Sequence, residues 1–219
     1  MPSRKKLLSY IELFLETYDE LILITSSKNI FGFYPLIHDL IKKHTERGKI
    51  TLIDSQTISV GLGFLVQRCA EIIFTEQFDK KELIYRIRKK INRIYSLLCI
   101  PCHSYLVNIG NIDRAQYLNL EMNNLLPIFS IDNGKLSPYD KVKSYRNCYS
   151  IFQEFIAEFD DSDQIGFVSG IPLRFKENRS LKKHCQELFP STTFTSFSLN
   201  LILSALFGPK TISVFIMEK

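Results

Sequence analysis

Apolar positions recur with two different periods along this chain, and the changes of period divide it. Leu7, Leu8, Ile11, Leu15 and Tyr18 lie close to helical spacing, which predicts an amphipathic helix over residues 7–18. The run Leu21-Ile22-Leu23-Ile24 follows as a short buried strand, and Ser26-Ser27-Lys28-Asn29 reads as a polar loop. A helix is predicted over 34–45, with Pro35 in its first turn, where a missing N–H costs nothing. Ile50-Thr51-Leu52-Ile53 predicts a second buried strand ending at Asp54-Ser55, and a helix over 61–75 comes after it. Strand, helix, strand, helix is the unit of a parallel α/β sheet. A helix over 79–94 gathers Leu83, Ile84, Ile87, Ile91 and Ile94 on one face and Arg86, Arg88, Lys89, Lys90 and Arg93 on the other. That basic face reads as a solvated surface beside a core stripe.

After residue 95 the pattern changes. Ser96–Cys102 predicts a strand, 114–123 a helix and Ile128–Ile131 a strand closed by the turn Asp132-Asn133-Gly134, with Lys135–Val142 returning as its hairpin partner. Helices are predicted over 145–159 and 177–188, strands over 164–169 and 211–217. Mixed strands and helices with a hairpin indicate an α+β unit. The expected organisation is therefore a small parallel α/β domain at 1–95 and an α+β domain at 96–219, with no internal repeat.

Composition narrows the function classes. The 219 residues, 45% of them hydrophobic, suffice for a proper core, and 17 Phe and 10 Tyr with no Trp make that core phenylalanine-rich or line an apolar pocket. A net charge of +5 without a long run of like charge implies no nucleic-acid partner. The most apolar stretches, Leu21–Ile24 and Leu199–Phe207, are too short for a transmembrane segment, and Met1–Lys6 does not lead into a signal sequence. Those two readings lead to the expectation of a cytoplasmic location, and five cysteines, an odd number, in such a reducing compartment argue against a disulfide framework.

Cys99-Ile100-Pro101-Cys102-His103 matches the attachment pattern of a c-type haem and the C-x-P-C of a redox pair. A redox pair should follow a strand and open a helix, where amide groups lower the thiol pKa; here the motif is expected within, or at the end of, a strand. Zinc would need further ligands, for which Cys69, Cys148, Cys185, His38, His44 and His184 offer no second paired cluster. Two small hydrophobes in a strand is the plainer reading. No P-loop, G-x-G-x-x-G or G-x-S-x-G is present, and Asp160-Asp161-Ser162-Asp163 reads as a surface turn rather than a calcium loop.

Five segments, in order, resemble the DegV family. Ser26-Ser27-Lys28 through Gly32-Phe33-Tyr34 is similar to its S-S-x-L-S-G-T-Y loop with one residue inserted. Ile53-Asp54-Ser55 with Ser59, Gly61 and Gly63 matches I-D-S-x-x-x-S-x-G-x-G. Tyr105-Leu106 through Gly110-Asn111-Ile112 resembles Y-L-x-x-G-G-R-I, and Leu126-Pro127-Ile128 through Lys141-Val142-Lys143 follows K-P-I-L, D-G-K-I and K-V-R. Gly208-Pro209 with Ile212 to Phe215 resembles the closing H-T-G-P-G-A-L-G strand.

The resemblance implies a parallel α/β domain beside an α+β domain, with a long-chain fatty acid or other lipid between them, no cofactor, no catalytic residues and, in some members, a separate kinase as protein partner. The lipid-binding positions it implies are Ser26, Ser27, Phe31, Gly32, Phe33, Ser59, Gly61, Leu206 and Phe207. Small residues at strand ends let backbone approach a ligand, although tight turns and close helix–strand packing explain each of them equally well. This chain departs from the family at the carboxylate: Phe31 and Phe33 stand where the loop has a serine and a threonine, and Leu206 where the last segment has a histidine. A buried carboxylate without donors is disfavoured, so an apolar or weakly polar lipid is expected. The family's opening strands also precede the point where Pro2-Ser3 aligns, which leads to the expectation of a homodimer, or of a partner chain, covering the open sheet edge unless the 7–18 helix does so. The alternatives are a degenerate subunit without ligand and a thiol-redox protein using Cys99 and Cys102.

Overall fold

The computed structural model describes residues 3–75, 79–108, 113–170 and 175–219. Gly110-Asn111-Ile112 and the side chain of His103 lie outside the described residues. Helix α1 (Arg4–Thr17) starts at Ser3, whose Oγ accepts from the Lys6 N–H at 3.3 Å, and buries Ile11. Strands β1 (Leu21–Thr25) and β2 (Ile50–Asp54) form a two-stranded parallel sheet in register from Leu21 with Ile50 to Thr25 with Asp54. Helix α2 (Phe33–Lys42) connects them, and α3 (Ser59–Thr75) and α4 (Lys80–Ile91) follow, α4 capped by the Asp79 carboxylate on the Glu82 N–H.

A six-stranded sheet occupies the rest. Its strands are β3 (Ile94–Cys99), β4 (Leu126–Asp132), β5 (Lys135–Val142), β6 (Gln164–Ser169), β7 (Thr193–Ser198) and β8 (Ile212–Met217), in the order β5-β4-β3-β8-β6-β7. Strand β8 sits between β3 and β6, antiparallel to both, and all its residues are buried. Helices α5 (His103–Asn108), α6 (Arg114–Met122) and α9 (Leu201–Phe207) lie in the connections, with α7 (Tyr145–Ala157) and α8 (Phe175–Leu188) between β5 and β7.

Alternation along the strands sends side chains to two cores. Leu97, Cys99, Ile212, Val214 and Ile216 meet Phe152 and Ile156 of α7 and Leu181 and Cys185 of α8. Leu98, Phe129, Val168, Phe215 and Met217 meet Ile58 and Phe64 at α3, Leu106, Leu120, and Leu203 and Phe207 of α9. Helix α3 serves both sheets: Leu65 and Cys69 pack with Ile22, Ile24 and Ile53 of the small sheet. Two glycines bring it onto the large one. A Cβ on Gly61 would lie 3.0 Å from Phe215 and 3.1 Å from Ile94, and a Cβ on Gly166 would lie 2.5 Å from Val60 and 2.9 Å from Phe64.

The mixed α/β architecture agrees with the sequence expectation, with local corrections. The strand expected over Ser96–Cys102 ends at Cys99, because Pro101 has no N–H to give a ladder and the chain turns into α5. The helices expected to reach residues 45 and 94 end at Lys42 and Ile91. The Asp132-Asn133-Gly134 turn closes the expected hairpin, with Asn133 at φ 50° and Gly134 at φ 78° and Asp132 paired with Lys135.

Candidate functional site: a seam between the two sheets

Because β1 and β2 are parallel, their carboxyl ends open on the same side, where open α/β sheets take ligands. The loop after β1 is held there from three directions. The Ser27 N–H donates to the Thr57 carbonyl at 2.8 Å, the Phe31 N–H donates to the Ser27 carbonyl at 2.9 Å, and the Ser27 hydroxyl donates to the Gly134 carbonyl at 2.5 Å while accepting from the Asn29 N–H at 3.2 Å. The Asn29 side-chain amide adds a bond to the Asn133 carbonyl at 3.2 Å. The hairpin turn of the large sheet is thus docked into the loop of the small one. A Cβ on Gly134 would lie 2.6 Å from the Ser27 hydroxyl, so this contact and the positive φ both require glycine.

The loop after β2 is built in the same way. Asp54 Oδ1 accepts from the Lys28 and Gln56 N–H groups at 3.2 and 3.1 Å, and the Ser55 hydroxyl donates to the Thr57 carbonyl at 3.1 Å. Thr57 Oγ1 and Asp54 Oδ2 are buried with no partner among the described residues. They are the unsatisfied polar atoms nearest the seam.

Ser59, at φ 54°, opens α3 and heads a cleft of about 580 Å³ between α3 and strands β6 and β7. Val60, Phe64, Val168 and Phe197 give the cleft apolar walls, while Gln67, Gln164, Thr195 and Asn200 are polar and uncharged. Val60, Phe64 and Val168 also belong to the apolar cluster that contains Phe31, Leu206 and Phe207. Such volume and lining suit a small amphiphile.

The structure therefore brings Phe31, Leu206 and Phe207 into one cluster and sets Ser59 in the adjoining cleft. The Phe31 and Phe33 rings lie 6.0 Å apart, Phe33 being the first residue of α2 and Gly32 its exposed cap. Ser27 is sealed beneath the hairpin and Ser26 is half-buried beside it. A Cβ on Gly61 would lie 2.5 Å from the Thr57 hydroxyl as well as close to Phe215 and Ile94, so the seam and the helix packing together require glycine there, whereas a Cβ on Gly63 would meet nothing within 4 Å. Sequence reasoning did not single out Thr57, Val168, Phe197 or Asn200. Only Thr57 carried a signal, its position inside the Asp54–Ser59 segment.

The Cys99–Cys102 segment corrects the sequence expectation in one respect. It does follow a strand and precede a helix, the setting of a redox pair, since β3 ends at Cys99 and α5 opens at His103. Burial tells against such a role: Cys99 is fully buried, and reactive thiols are partly exposed. All five cysteines are free. Burial pushes the Cys69 thiol up to about 11 and the Cys185 thiol up to about 12, and it raises Cys148, which contacts the Cys99 thiol. Among the described residues no group of three or more His, Cys, Asp or Glu could hold a metal, and no helix is long and apolar enough to cross a membrane. A thiol reagent applied to the native protein at pH 8 is expected to label the half-buried Cys102 quickly and the four buried thiols only on unfolding. Cys102→Ser should remove the fast phase and leave stability within about 0.5 kcal/mol. Disulfide-exchange activity that disappears in that variant would reinstate the redox reading.

Comparison with known proteins places these features. A family model described as "Uncharacterised protein, DegV family" matches residues 1–219. A DegV domain-containing protein of Caldanaerobacter subterraneus subsp. tengcongensis is 27% identical over 135 residues, which are 60% of this chain and 46% of that protein, so the match spans less than half the relative's length. The chain superposes with a TM-score of 0.84 on a fatty-acid-binding DegV family protein from Thermus thermophilus, at 17% identity, covering 100% of this chain and 78% of that one. It superposes with a TM-score of 0.81 on the Fatty Acid Kinase (Fak) B3 protein of Streptococcus pneumoniae loaded with linoleic acid, at 15% identity, covering 100% and 77%.

Proposed function

Because this chain belongs to the DegV family, we propose that it binds a long-chain lipid in the seam between its two sheets and catalyses no reaction. The observation that carries this reading is that the 580 Å³ cleft shares Val60, Phe64 and Val168 with the apolar cluster that contains Phe31, Leu206 and Phe207. An acyl chain needs an apolar trough and its polar end a few fixed hydrogen-bonding groups. The cleft offers the first along Val60, Phe64, Val168 and Phe197, and the second at Ser59 and Asn200. The Thermus relative is described as binding fatty acid and the Streptococcus pneumoniae relative holds linoleic acid, which supports the same class of ligand here. That second relative's designation as a fatty acid kinase protein supports a role in handing an acyl ligand to a separate kinase. Two domains, 1–95 and 96–219, on either side of the seam, a cytoplasmic location in keeping with five free cysteines, and Ser26, Gly32 and Phe33 as further wall residues complete the proposal.

A second reading, a subunit that has lost its ligand, is favoured by Phe31, Phe33 and Leu206 standing at the aligned donor positions. Mass spectrometry of an organic extract of the natively purified protein separates the two. A lipid recovered at about one per chain is expected. Protein that comes through purification empty, and stays empty after incubation with lipid vesicles, would leave the second reading standing.

A further inference from the structure

Helix α1 carries two apolar faces, and the fold covers only one of them. Ile11 is buried, with Leu7, Leu8 and Leu15 partly covered beside it. About a quarter-turn round the helix, Tyr10 is 50%, Leu13 56% and Phe14 45% exposed, and Tyr18 extends the row at 58%. Tyr10, Leu13 and Phe14 recur at i, i+3 and i+4, a stripe on one side of the helix, and Tyr18, its extended C-cap, lies just beyond them. The Phe14 and Tyr18 rings, 6.4 Å apart, hold together its C-terminal end. Exposed apolar rows of this kind mark interaction sites.

The charges beside the stripe identify the partner. Arg4, Lys5 and Lys6 occupy the first turn, and Glu12, Glu16 and Asp19 follow toward the C-terminal end, all exposed. No acidic residue lies in the first turn and no basic one in the last. Both ends are therefore charged against the helix dipole, which favours anions at the N-terminus and cations at the C-terminus. Among the described residues no ion pair within the chain engages Arg4, Lys5, Lys6, Glu12 or Glu16. A polarity that is unfavourable within one helix is complementary to the same helix turned end for end.

We propose that the exposed face of α1 is a two-fold interface, in which α1 packs antiparallel against α1 of a second copy of this chain. With the axis between Tyr10 and Leu13, the apolar stripe of each copy covers the other, and Lys5 and Lys6 of one copy lie beside Glu16 and Asp19 of the other. A dyad of this kind makes one patch its own partner, with an apolar centre and a charged rim, as closed dimers require. The proposal is independent of the lipid reading, since α1 contributes nothing to the cleft or to the apolar cluster beside it.

Light scattering and sedimentation over about 1–100 μM test it. The wild type is expected at about 51 kDa, twice the 25.5 kDa chain. Leu13→Glu, at an exposed position, should retain the circular dichroism of the folded chain and raise the dissociation constant by at least about 30-fold, the scale of losing one central contact. Lys5→Glu with Lys6→Glu should weaken the dimer, as should Glu16→Lys with Asp19→Lys, and the four changes together should restore it, because the rim charges are then exchanged rather than lost. A 25.5 kDa monomer across that range, association that ignores Leu13→Glu, or a combined variant no better than its two components, overturns the antiparallel α1 interface.

Discussion

Palmitate is expected to bind this chain about two to four orders of magnitude more weakly than it binds a relative that keeps its carboxylate donors. Resemblance to the DegV family implies a serine, a threonine and a histidine where Phe31, Phe33 and Leu206 stand in this chain. The hydroxyl closest in sequence, on Ser27, is fully buried and already donates to the Gly134 carbonyl, and Ser55 donates to Thr57. A charge-assisted hydrogen bond contributes roughly 1.5–3 kcal/mol, so two lost bonds correspond to roughly 3–6 kcal/mol. Contact with the two phenyl rings offsets part of this for the alkyl chain and none of it for the carboxylate. An uncharged ester has no carboxylate to satisfy and should bind better than the acid. Calorimetry with palmitate and methyl palmitate on this protein, and with palmitate on a relative whose loop keeps the serine and threonine, reads both differences. Phe31→Ser combined with Leu206→His should raise affinity for the acid at least about 10-fold and leave the ester nearly unchanged. A tight, pH-independent preference of the wild type for the acid would show that donors elsewhere in the seam serve the headgroup.

Sequence pattern reached the elements whose neighbours are local. Leu21–Ile24 and Ile50–Ile53 read as buried strands because unbroken β-branched and leucine runs of that length fit a parallel pair, and the hairpin 126–142 read from its turn. Strand β7, Thr-Phe-Thr-Ser-Phe-Ser, was not legible. It lies at the edge of the sheet with its residues exposed or half-buried, so no side-chain alternation was imposed on it. The run Leu199–Phe207 registered only as an apolar stretch, although Asn200 caps α9 through its side chain on the Leu203 N–H and Gly208, at φ 90°, ends it. The seam was legible only through resemblance to a family. Phe31 and Leu206 are 175 positions apart, and nothing local in either segment says that they share a cluster. Gly61 shows the converse: resemblance marked it as a ligand position, and its surroundings explain it by the approach of α3 to Phe215 and Ile94. In α1 the helical spacing of Leu7, Leu8, Ile11 and Leu15 marked the face that is buried or half-buried, whereas Tyr18, set on that same face by its spacing, is exposed, and the row Tyr10, Leu13 and Phe14 was not singled out.

Phe207→Ala is expected to cost about 3–5 kcal/mol of folding stability, the range for deleting a buried phenyl ring that its surroundings cannot collapse to fill. Phe207 is 1% exposed and belongs to the same core as Phe129, Phe215, Leu203 and Leu106, so the cavity would be lined from the sheet and from two helices at once. The next residue, Gly208, packs so closely on Cys102 that a Cβ there would lie 2.8 Å from it. Domains are stable by only about 5–15 kcal/mol, which makes this one of the largest single losses available outside the glycines. Urea denaturation should show it as a lower midpoint at an unchanged slope. Leu201→Ala, six residues earlier in the same helix and 84% exposed, should stay within about 0.5 kcal/mol of wild type. The variant also tests the seam, because Phe207 belongs to the same apolar cluster as Phe31, Leu206 and the cleft residues Val60, Phe64 and Val168. Methyl palmitate should restore stability to Phe207→Ala more than to the wild type, by the logarithm of ligand concentration over dissociation constant. A loss under about 1 kcal/mol would mean that α9 does not seal this core, and an ester that rescues neither protein would mean that the cavity and the lipid site are separate.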